Sequence, residues 1–186
     1  GCSARGTLDL PQVTSYDYGA LLNEQGNPTE KYYAIQKMMA TYYPEYPQQE
    51  PLIKECLPEQ TLQLVAKTSL FGNLDNLAQV KTSLYPEKME GLGQTTGYLL
   101  YETDLELDAE EERLRIIDGR DRVQIYLDDR HVATQYQTEI GEDLFIKGKK
   151  KAVTNLKILL ENMGRVNYGH KLLADSQHKG IRTGVC

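Results

Sequence analysis

A series of short strand-like runs across the later two thirds of the 186-residue chain constrains its fold most. The longest run, residues 97–107, alternates apolar and polar side chains, which is the period of a half-buried strand. Short strands joined by tight turns are typical of antiparallel sheets, because parallel strands need long crossovers. We therefore expect a mainly β chain that forms an antiparallel, jelly-roll-like β-sandwich. The other strand-like runs are 62–66, 68–71, 114–117, 123–127, 131–134 and 156–161.

Turn and loop signals separate these runs. The pairs Asp118-Gly119 and Asp128-Asp129 predict turns, since Asp and Gly tolerate a positive φ. The acidic run 108–112 and the lysine-rich run 147–151 predict solvated loops. The acidic run lacks the alternating ligand pattern of a calcium loop, so we do not expect it to bind a cation.

One amphipathic helix precedes the strand-rich part. Asn27, Pro28 and Glu30 match an Asn-x-x-Glu capping box with proline at the first helical position, and Pro44 predicts the helix end. A single amphipathic helix cannot bury its apolar stripe alone, so we expect its packing partner to be missing from this chain. The stripe consists of Tyr32, Ile35, Met38, Met39 and Tyr42.

Residues 44–59 hold four prolines together with acidic residues and glutamines, a composition typical of an extended linker. This segment divides the chain into a helical region at 1–43 and a strand-rich region at 60–186. We expect a domain boundary in the linker.

Composition disfavours several classes of function. A formal net charge of −6 gives no basic surface for a nucleic acid, and no apolar run approaches the ~20 residues that cross a bilayer. The cysteines and histidines lack metal-ligand spacing, so we assign no metal and no cofactor. Reduced thiols favour the cytoplasm, although the sequence leaves the compartment open. The residues in question are Cys2, Cys56, Cys186, His131, His170 and His178.

Two longer motifs carry a family resemblance. The first reads Thr14-Ser15-Tyr16-Asp17-Tyr18-Gly19-Ala20 and continues to Gly26, and the second, at residues 161–169, reads ENMGRVNYG. Together, in this order and at this spacing, they resemble the TSYDYDAPL-type segment and the ENMGRVNYG loop of glycoside hydrolase family 35, the β-galactosidases. The resemblance runs over nearly the whole chain but covers only a middle portion of the family's length.

The resemblance implies a domain arrangement. In this family a (β/α)8 barrel precedes β-sandwich domains. Residues 1–43 would then be the rim loop and last helix of the barrel, and residues 60–186 most of the first sandwich, truncated at its C-terminus. Barrel active sites lie on the rim at the C-terminal ends of the strands, where the first motif would sit.

The resemblance also implies a reaction. The family hydrolyses terminal β-linked galactose with retention, using two glutamates in motifs that do not occur in this sequence. We therefore expect both glutamates to lie upstream, this chain to hold no catalytic residue, and the chain alone to be inactive.

Tyr18 and then Tyr16 are the predicted substrate-binding residues. By the resemblance they match tyrosines that lie against galactose, and a tyrosine hydroxyl can orient a catalytic carboxylate. The alternative is that both tyrosines pack at the barrel rim, since alternate residues of an extended segment need not both point inward. The sequence departs from the family pattern at Gly19 and Leu21, and Gly19 is expected to loosen the end of the segment.

Arg165 and Asn167 in the second motif are of types that bind sugars. We favour a structural role for them, in which Gly164 and Gly169 permit tight turns and Arg165 pairs with loop carbonyls or a carboxylate.

Three interpretations remain open. In the first, the chain is a fragment of a retaining exo-β-galactosidase that acts on galactose-terminated oligosaccharides. In the second it is a non-catalytic carbohydrate-binding or scaffold sandwich, which titration with galactose would test. In the third it is an interaction module that docks through the helix stripe, which also predicts self-association.

Overall fold

A computed structural model describes residues 2–5, 10–13, 19–47, 49–166 and 172–186, with the backbone alone for the first two ranges. The chain divides into two compact units. One spans Val13–Lys67, and the other joins Cys2–Gln12 to Thr68–Cys186. Within the described ranges, no helix has the length and apolar character needed to cross a lipid bilayer.

The first unit is organised around helix α1, Glu30–Tyr42, whose N-cap is Thr29. The predicted cap at Asn27 is therefore wrong. The side chain of Asn27 bonds instead to the backbone of Lys54. Its Nδ2 donates to the Lys54 carbonyl at 2.8 Å, and its Oδ1 accepts from the Lys54 backbone N–H at 2.7 Å. Asn27 thus fixes the segment after α1 and does not cap the helix.

The apolar stripe of α1 is only partly covered in this unit. No residue of α1 is buried among the described residues, although Tyr32 and Ile35 are half-buried. These two residues line an open cleft of about 270 Å³. The other cleft residues are Leu21, Gln36, Met39, Pro47 and Gln49.

Residues 49–70 contain no helix and no strand. The strands predicted at 62–66 and 68–71 are therefore wrong. Leu64 and Val65 are 85% and 92% exposed, so their apolar pattern meets no packing surface. A single extended segment without a paired strand gains too little from backbone hydrogen bonds to persist as a strand. A 3₁₀ turn, Phe71–Asn73, and a short helix α2, Leu74–Leu77, follow instead.

Eleven strands are assigned among the described residues. The largest sheet has the order β3-β9-β6-β7 and is antiparallel throughout. Two further antiparallel pairs, β5 with β11 and β4 with β8, accompany it, and a small sheet has the order β10-β1-β2. The strands are β1 Cys2–Arg5, β2 Leu10–Val13, β3 Tyr98–Glu106, β4 Glu111–Leu114, β5 Ile116–Arg120, β6 Arg122–Leu127, β7 Arg130–Tyr136, β8 Leu144–Lys147, β9 Val153–Glu161, β10 Arg165–Val166 and β11 Gly180–Val185.

The core lies between the four-stranded sheet and the two smaller pairs. Alternate residues of β6 and β9 point into it and meet apolar residues of β4, β5, β8 and β11. Each fully buried aliphatic side chain contributes roughly 1.5–3 kcal/mol relative to exposure. Two layers of antiparallel strands around one apolar core confirm the predicted mainly β sandwich. The buried residues from these strands are Val123, Ile125, Leu127, Leu156, Ile158, Leu160, Leu114, Ile116, Ile146 and Ile181.

Several strand predictions are confirmed. The runs 97–107, 123–127, 131–134 and 156–161 correspond to β3, β6, β7 and β9. Asp128 and Asp129 form the predicted turn with φ of 47° and 62°.

Other details of the strand prediction are wrong. Asp118 and Gly119 do not form the predicted turn but lie inside β5. The positive φ of Asp118 occurs where the pairing of β5 with β11 shifts its register. Glu111 and Glu112, predicted in a solvated loop, begin β4 opposite Lys147 and Ile146. Acidic side chains are tolerated there because Glu111 is exposed and pairs with Lys147 at 3.2 Å.

A close crossing lies between β3 and the start of β11. A Cβ at Gly180, where φ is 102°, would lie 2.7 Å from the Tyr101 hydroxyl oxygen, so this position requires glycine. The Tyr101 hydroxyl donates to the Glu87 carbonyl at 2.7 Å and accepts from the Ile181 amide at 2.9 Å. Burial raises the pKa of Tyr101 to about 12, although the hydrogen bond from Ile181 acts in the opposite direction.

This shift predicts a loss of stability in alkali. Tyrosine ionises near pH 10 in the unfolded chain, so the stabilisation is complete below that pH and is lost as pH rises towards 12. We expect the ionisation of Tyr101 to lower the free energy of unfolding by roughly 1 kcal/mol between about pH 9 and about pH 11. Urea unfolding at both pH values measures this decrease in the free energy of unfolding. The wild type and Tyr85→Phe, whose side chain is exposed, should show the decrease, and Tyr101→Phe should lack this contribution. A decrease unchanged in Tyr101→Phe would contradict the assignment.

Candidate functional site

The two predicted substrate-binding residues, Tyr16 and Tyr18, lie outside the described residues. Gly19 is the first residue of this motif that the structure describes, and its φ is 66°. The Gly19 carbonyl accepts from Lys31 Nζ at 2.5 Å, and the Ala20 carbonyl accepts from Thr29 Oγ1 at 3.1 Å. The end of the motif is therefore hydrogen-bonded to Thr29 and Lys31 at the start of α1, and the expectation that Gly19 loosens it stays a prediction.

The loop between the first motif and α1 is also held internally. Asn23 Oδ1 accepts from the amides of Gln25 at 3.0 Å and Asn27 at 2.9 Å, which closes an Asx turn. Together with the contacts of Asn27 to Lys54, this turn fixes the backbone that follows the predicted sugar-binding tyrosines.

The carboxylates near this segment do not form a catalytic pair. Glu24, Glu30, Glu45 and Glu50 are all exposed. A general acid at neutral pH normally needs burial or a like-charged neighbour to raise its pKa. We therefore assign no catalytic role to these four glutamates.

The second motif starts at the end of β9 and turns sharply. Asn162 donates through Nδ2 to the Thr95 carbonyl and accepts the Gly164 amide at Oδ1, both at 3.0 Å. Gly164 has a φ of 127°, which glycine adopts without strain. The motif's asparagine thus serves the turn itself.

A buried ion pair supports this turn from beneath. Lys179 Nζ lies 2.7 Å from Asp121 Oδ1, and both side chains are 1% exposed. The other carboxylate oxygen, Oδ2, accepts the Met163 amide at 2.8 Å, and the Asp121 amide donates to the Glu161 carbonyl at 3.0 Å. The pair therefore fixes the backbone of the motif on both sides of Asn162.

Arg165 has a structural role, as we favoured from the sequence. Its Nη1 donates to Glu90 Oε1 at 2.7 Å, and its Nε and Nη2 donate to the Thr95 carbonyl at 3.2 and 3.1 Å. Burial raises the pKa of Glu90, but the hydrogen bonds from Arg165 and from backbone amides outweigh it and hold the pKa below its usual value. Asn167 lies outside the described residues, so its role stays a prediction.

The turn also carries a strand pairing. Residues Arg165 and Val166 form β10, which pairs in parallel with β1 at Ser3 and Ala4. Residues from the two ends of the sequence are thereby joined within one small sheet. Among the described residues of the motif, Asn162 and Arg165 hold backbone in place, and no carboxylate pair of the kind that hydrolysis of a sugar bond requires is formed.

Sequence reasoning missed the two residues on which this arrangement depends. Asp121 and Lys179 are 58 residues apart in sequence and belong to no local motif. A lysine beside a glycine ordinarily predicts a solvated loop, and a partner that arrives through the tertiary fold leaves no local signal.

Removing one partner of the buried pair should destabilise the second unit strongly. Lys179→Met removes one partner of the buried Asp121 carboxylate, and breaking a buried ion pair typically costs about 3–5 kcal/mol. As a matched control, Lys81→Met removes a pair whose side chains are 55% and 40% exposed, so we expect a loss below about 1 kcal/mol. Urea unfolding at neutral pH measures both. Similar losses in the two variants would contradict a structural role for the buried pair.

Comparisons with known proteins agree with this architecture. The sequence profile for "Beta-galactosidase, first all-beta domain" matches residues 86–186, and the profile for glycosyl hydrolases family 35 matches residues 1–42. The proposed limits of the linker, 44–59, fall between the two matches but stay a prediction.

Individual relatives give the same assignment. The chain is 34% identical to beta-galactosidase 1 of Dictyostelium discoideum over 92% of its own length and 28% of the relative's. It is also 34% identical to a beta-galactosidase of Xanthomonas manihotis and to the human beta-galactosidase-1-like protein 2, covering 87% and 91% of this chain and 26% of each relative. The chain spans about a quarter of the length of these curated relatives. It belongs to glycoside hydrolase family 35, and its residues 86–186 form the first all-beta domain of that family's β-galactosidases.

Proposed function

We propose that this chain is part of a retaining exo-β-galactosidase that removes terminal, non-reducing β-D-galactose from oligosaccharides and glycoconjugates. The observation that carries the proposal is the pair of family matches, to glycosyl hydrolases family 35 at 1–42 and to the first all-beta domain of beta-galactosidase at 86–186. The relatives named as β-galactosidases support the same activity.

The proposed reaction is a double displacement by two glutamates. One carboxyl protonates the leaving oxygen while the other attacks the anomeric carbon, and in retaining enzymes the two groups lie about 5–5.5 Å apart. The family's glutamate motifs do not occur in this sequence, so both glutamates would come from residues of the enzyme that precede it. This chain would contribute one wall of the galactose pocket and a supporting sandwich.

Tyr18, and secondarily Tyr16, would form that pocket wall. A tyrosine ring offers an apolar face to the C–H groups of a sugar and a hydroxyl that can orient the nucleophilic carboxylate. The hydrogen bonds within residues 19–31 support this role, because a pocket wall acts best when its backbone is held in place. The substrate would be a galactose-terminated oligosaccharide.

The first test concerns the chain by itself. We expect the purified 186-residue polypeptide to leave nitrophenyl β-galactoside intact, because it lacks the catalytic carboxylate pair. The measurement is release of nitrophenol over hours, with a full-length family member at equal concentration as the positive control. Turnover that co-purifies with the folded chain would overturn the assignment of both glutamates to upstream residues.

The second test places Tyr18→Phe in the longer enzyme that contains this segment. Loss of a preorganised hydroxyl near developing charge should lower kcat by roughly 10-fold to 100-fold and leave the unfolding temperature unchanged. Tyr85→Phe, at an exposed position of the second unit, is the matched control and should retain full activity. If both variants have the same kcat, Tyr18 does not contact the reacting sugar.

A further inference from the structure

A row of four side chains crosses the outer face of the four-stranded sheet, opposite the apolar core. The strand registers pair Tyr98 with Glu161, Glu161 with Arg122 and Arg122 with Tyr136. These four residues, here named the Tyr98 row, therefore stand side by side on neighbouring strands. Three spacings between strands give the row a length of about 14 Å.

The polar centre of the Tyr98 row is fixed by direct contacts. Arg122 Nη1 donates to Glu161 Oε2 at 2.6 Å, and the Tyr98 hydroxyl donates to Glu161 Oε1 at 3.2 Å. The Arg122 guanidinium also lies over the Tyr136 ring, 5.6 Å from its centroid. The two rings are 56% and 48% exposed, whereas the charged side chains between them are only about a quarter exposed.

The charged pair has both apolar and polar neighbours on the same face. The next row of the same face holds Leu100, Leu159 and Gln124, so an apolar floor and an amide lie beside the charged pair. Alternation along β6 places Gln124 on the same face as Arg122.

We propose that the Tyr98 row is a carbohydrate-binding site of the sandwich, which takes neutral pyranose sugars. This goes beyond the proposed function, which needs only the tyrosines of the first motif. Exposed tyrosine rings stack on the C–H faces of a sugar, while a carboxylate and a guanidinium accept from and donate to neighbouring hydroxyls. The length of the row suits a short glycan that spans both rings.

The charge of the row argues for a neutral ligand. Glu161 and Arg122 neutralise each other, so the row attracts neither a phosphate nor a cation strongly. A sugar hydroxyl donates and accepts, and it can therefore satisfy both members of the pair together. An adjoining polypeptide surface is the competing occupant of this face.

The test is a titration of the 186-residue chain with galactose, lactose and galactosyl-N-acetylglucosamine. The chain has thirteen tyrosines and no tryptophan, so tyrosine fluorescence and two-dimensional NMR both report on the row. We expect saturable binding, and at least about 10-fold weaker affinity in Tyr98→Ala and Tyr136→Ala through the loss of stacking. Tyr85→Ala, which removes an exposed ring elsewhere in the same unit, is the matched control and should bind as the wild type does.

Two further variants separate this proposal from others. Tyr136→Phe keeps the ring and should bind normally, and the NMR spectrum of Tyr136→Ala shows whether that variant is folded. Tyr18→Ala should also bind normally. If Tyr18→Ala abolishes binding while Tyr136→Ala does not, the Tyr98 row is overturned and the proposed galactose pocket is supported. Absence of saturable binding to the wild type in the millimolar range overturns the row and leaves the hydrolysis test unaffected.

Discussion

The ion pair of Asp121 and Lys179 is the interaction on which the second unit most depends. Each side chain is 1% exposed, so both charges have lost their hydration, a loss that only close pairing and further hydrogen bonds offset. The Met163 amide supplies one such bond. Because Asp121 joins β5 to β6 and Lys179 immediately precedes β11, the pair fixes where these strands meet. An apolar pair of the same size would fill the space but would not select that register, and we regard this selection as the reason for the buried charges.

The same network accounts for Asn162, Gly164 and Arg165 of the ENMGRVNYG motif. Asn162 and Gly164 form the turn, Arg165 spans from Thr95 to Glu90, and Glu90 in turn accepts the Lys179 amide at 3.0 Å. Each polar group thus holds a neighbouring backbone segment. The turn ends in β10, which pairs with β1, so a buried charge in the sandwich is connected to residues from the start of the chain. Asn162, Gly164 and Arg165 of the motif therefore serve to hold backbone in place.

The sequence predicted those elements whose pattern is local. Strands β3, β6, β7 and β9 were predictable because alternation and a core position coincide in them, and the Asp128-Asp129 turn was predictable from its residue types. Strands β4, β8 and β11 were missed because charged or glycine residues interrupt their alternation, and their identity as strands depends on partners distant in sequence. At 62–66 a strand was predicted where none forms, because apolar and polar residues alternate there but no partner strand pairs with the segment. At the candidate site, the role of Arg165 was foreseen from its chemistry, whereas the pairing of Asp121 with Lys179 has no sequence signature.

Glu161 shows how the fold and the proposed sugar-binding surface share one residue. Its carbonyl accepts the Asp121 amide from the neighbouring chain segment, while its carboxylate lies between Tyr98 and Arg122 on the outer face. The backbone contact holds the end of β9 at the turn, and the end of β9 in turn sets the position of the carboxylate in the Tyr98 row. Rigidity gained from the buried network is therefore transmitted to the outer face without any side chain crossing the sheet. The ion pair is therefore already ordered between the two exposed rings before any ligand binds. Because these side chains need not be ordered on binding, the entropic cost of binding a small ligand is lower.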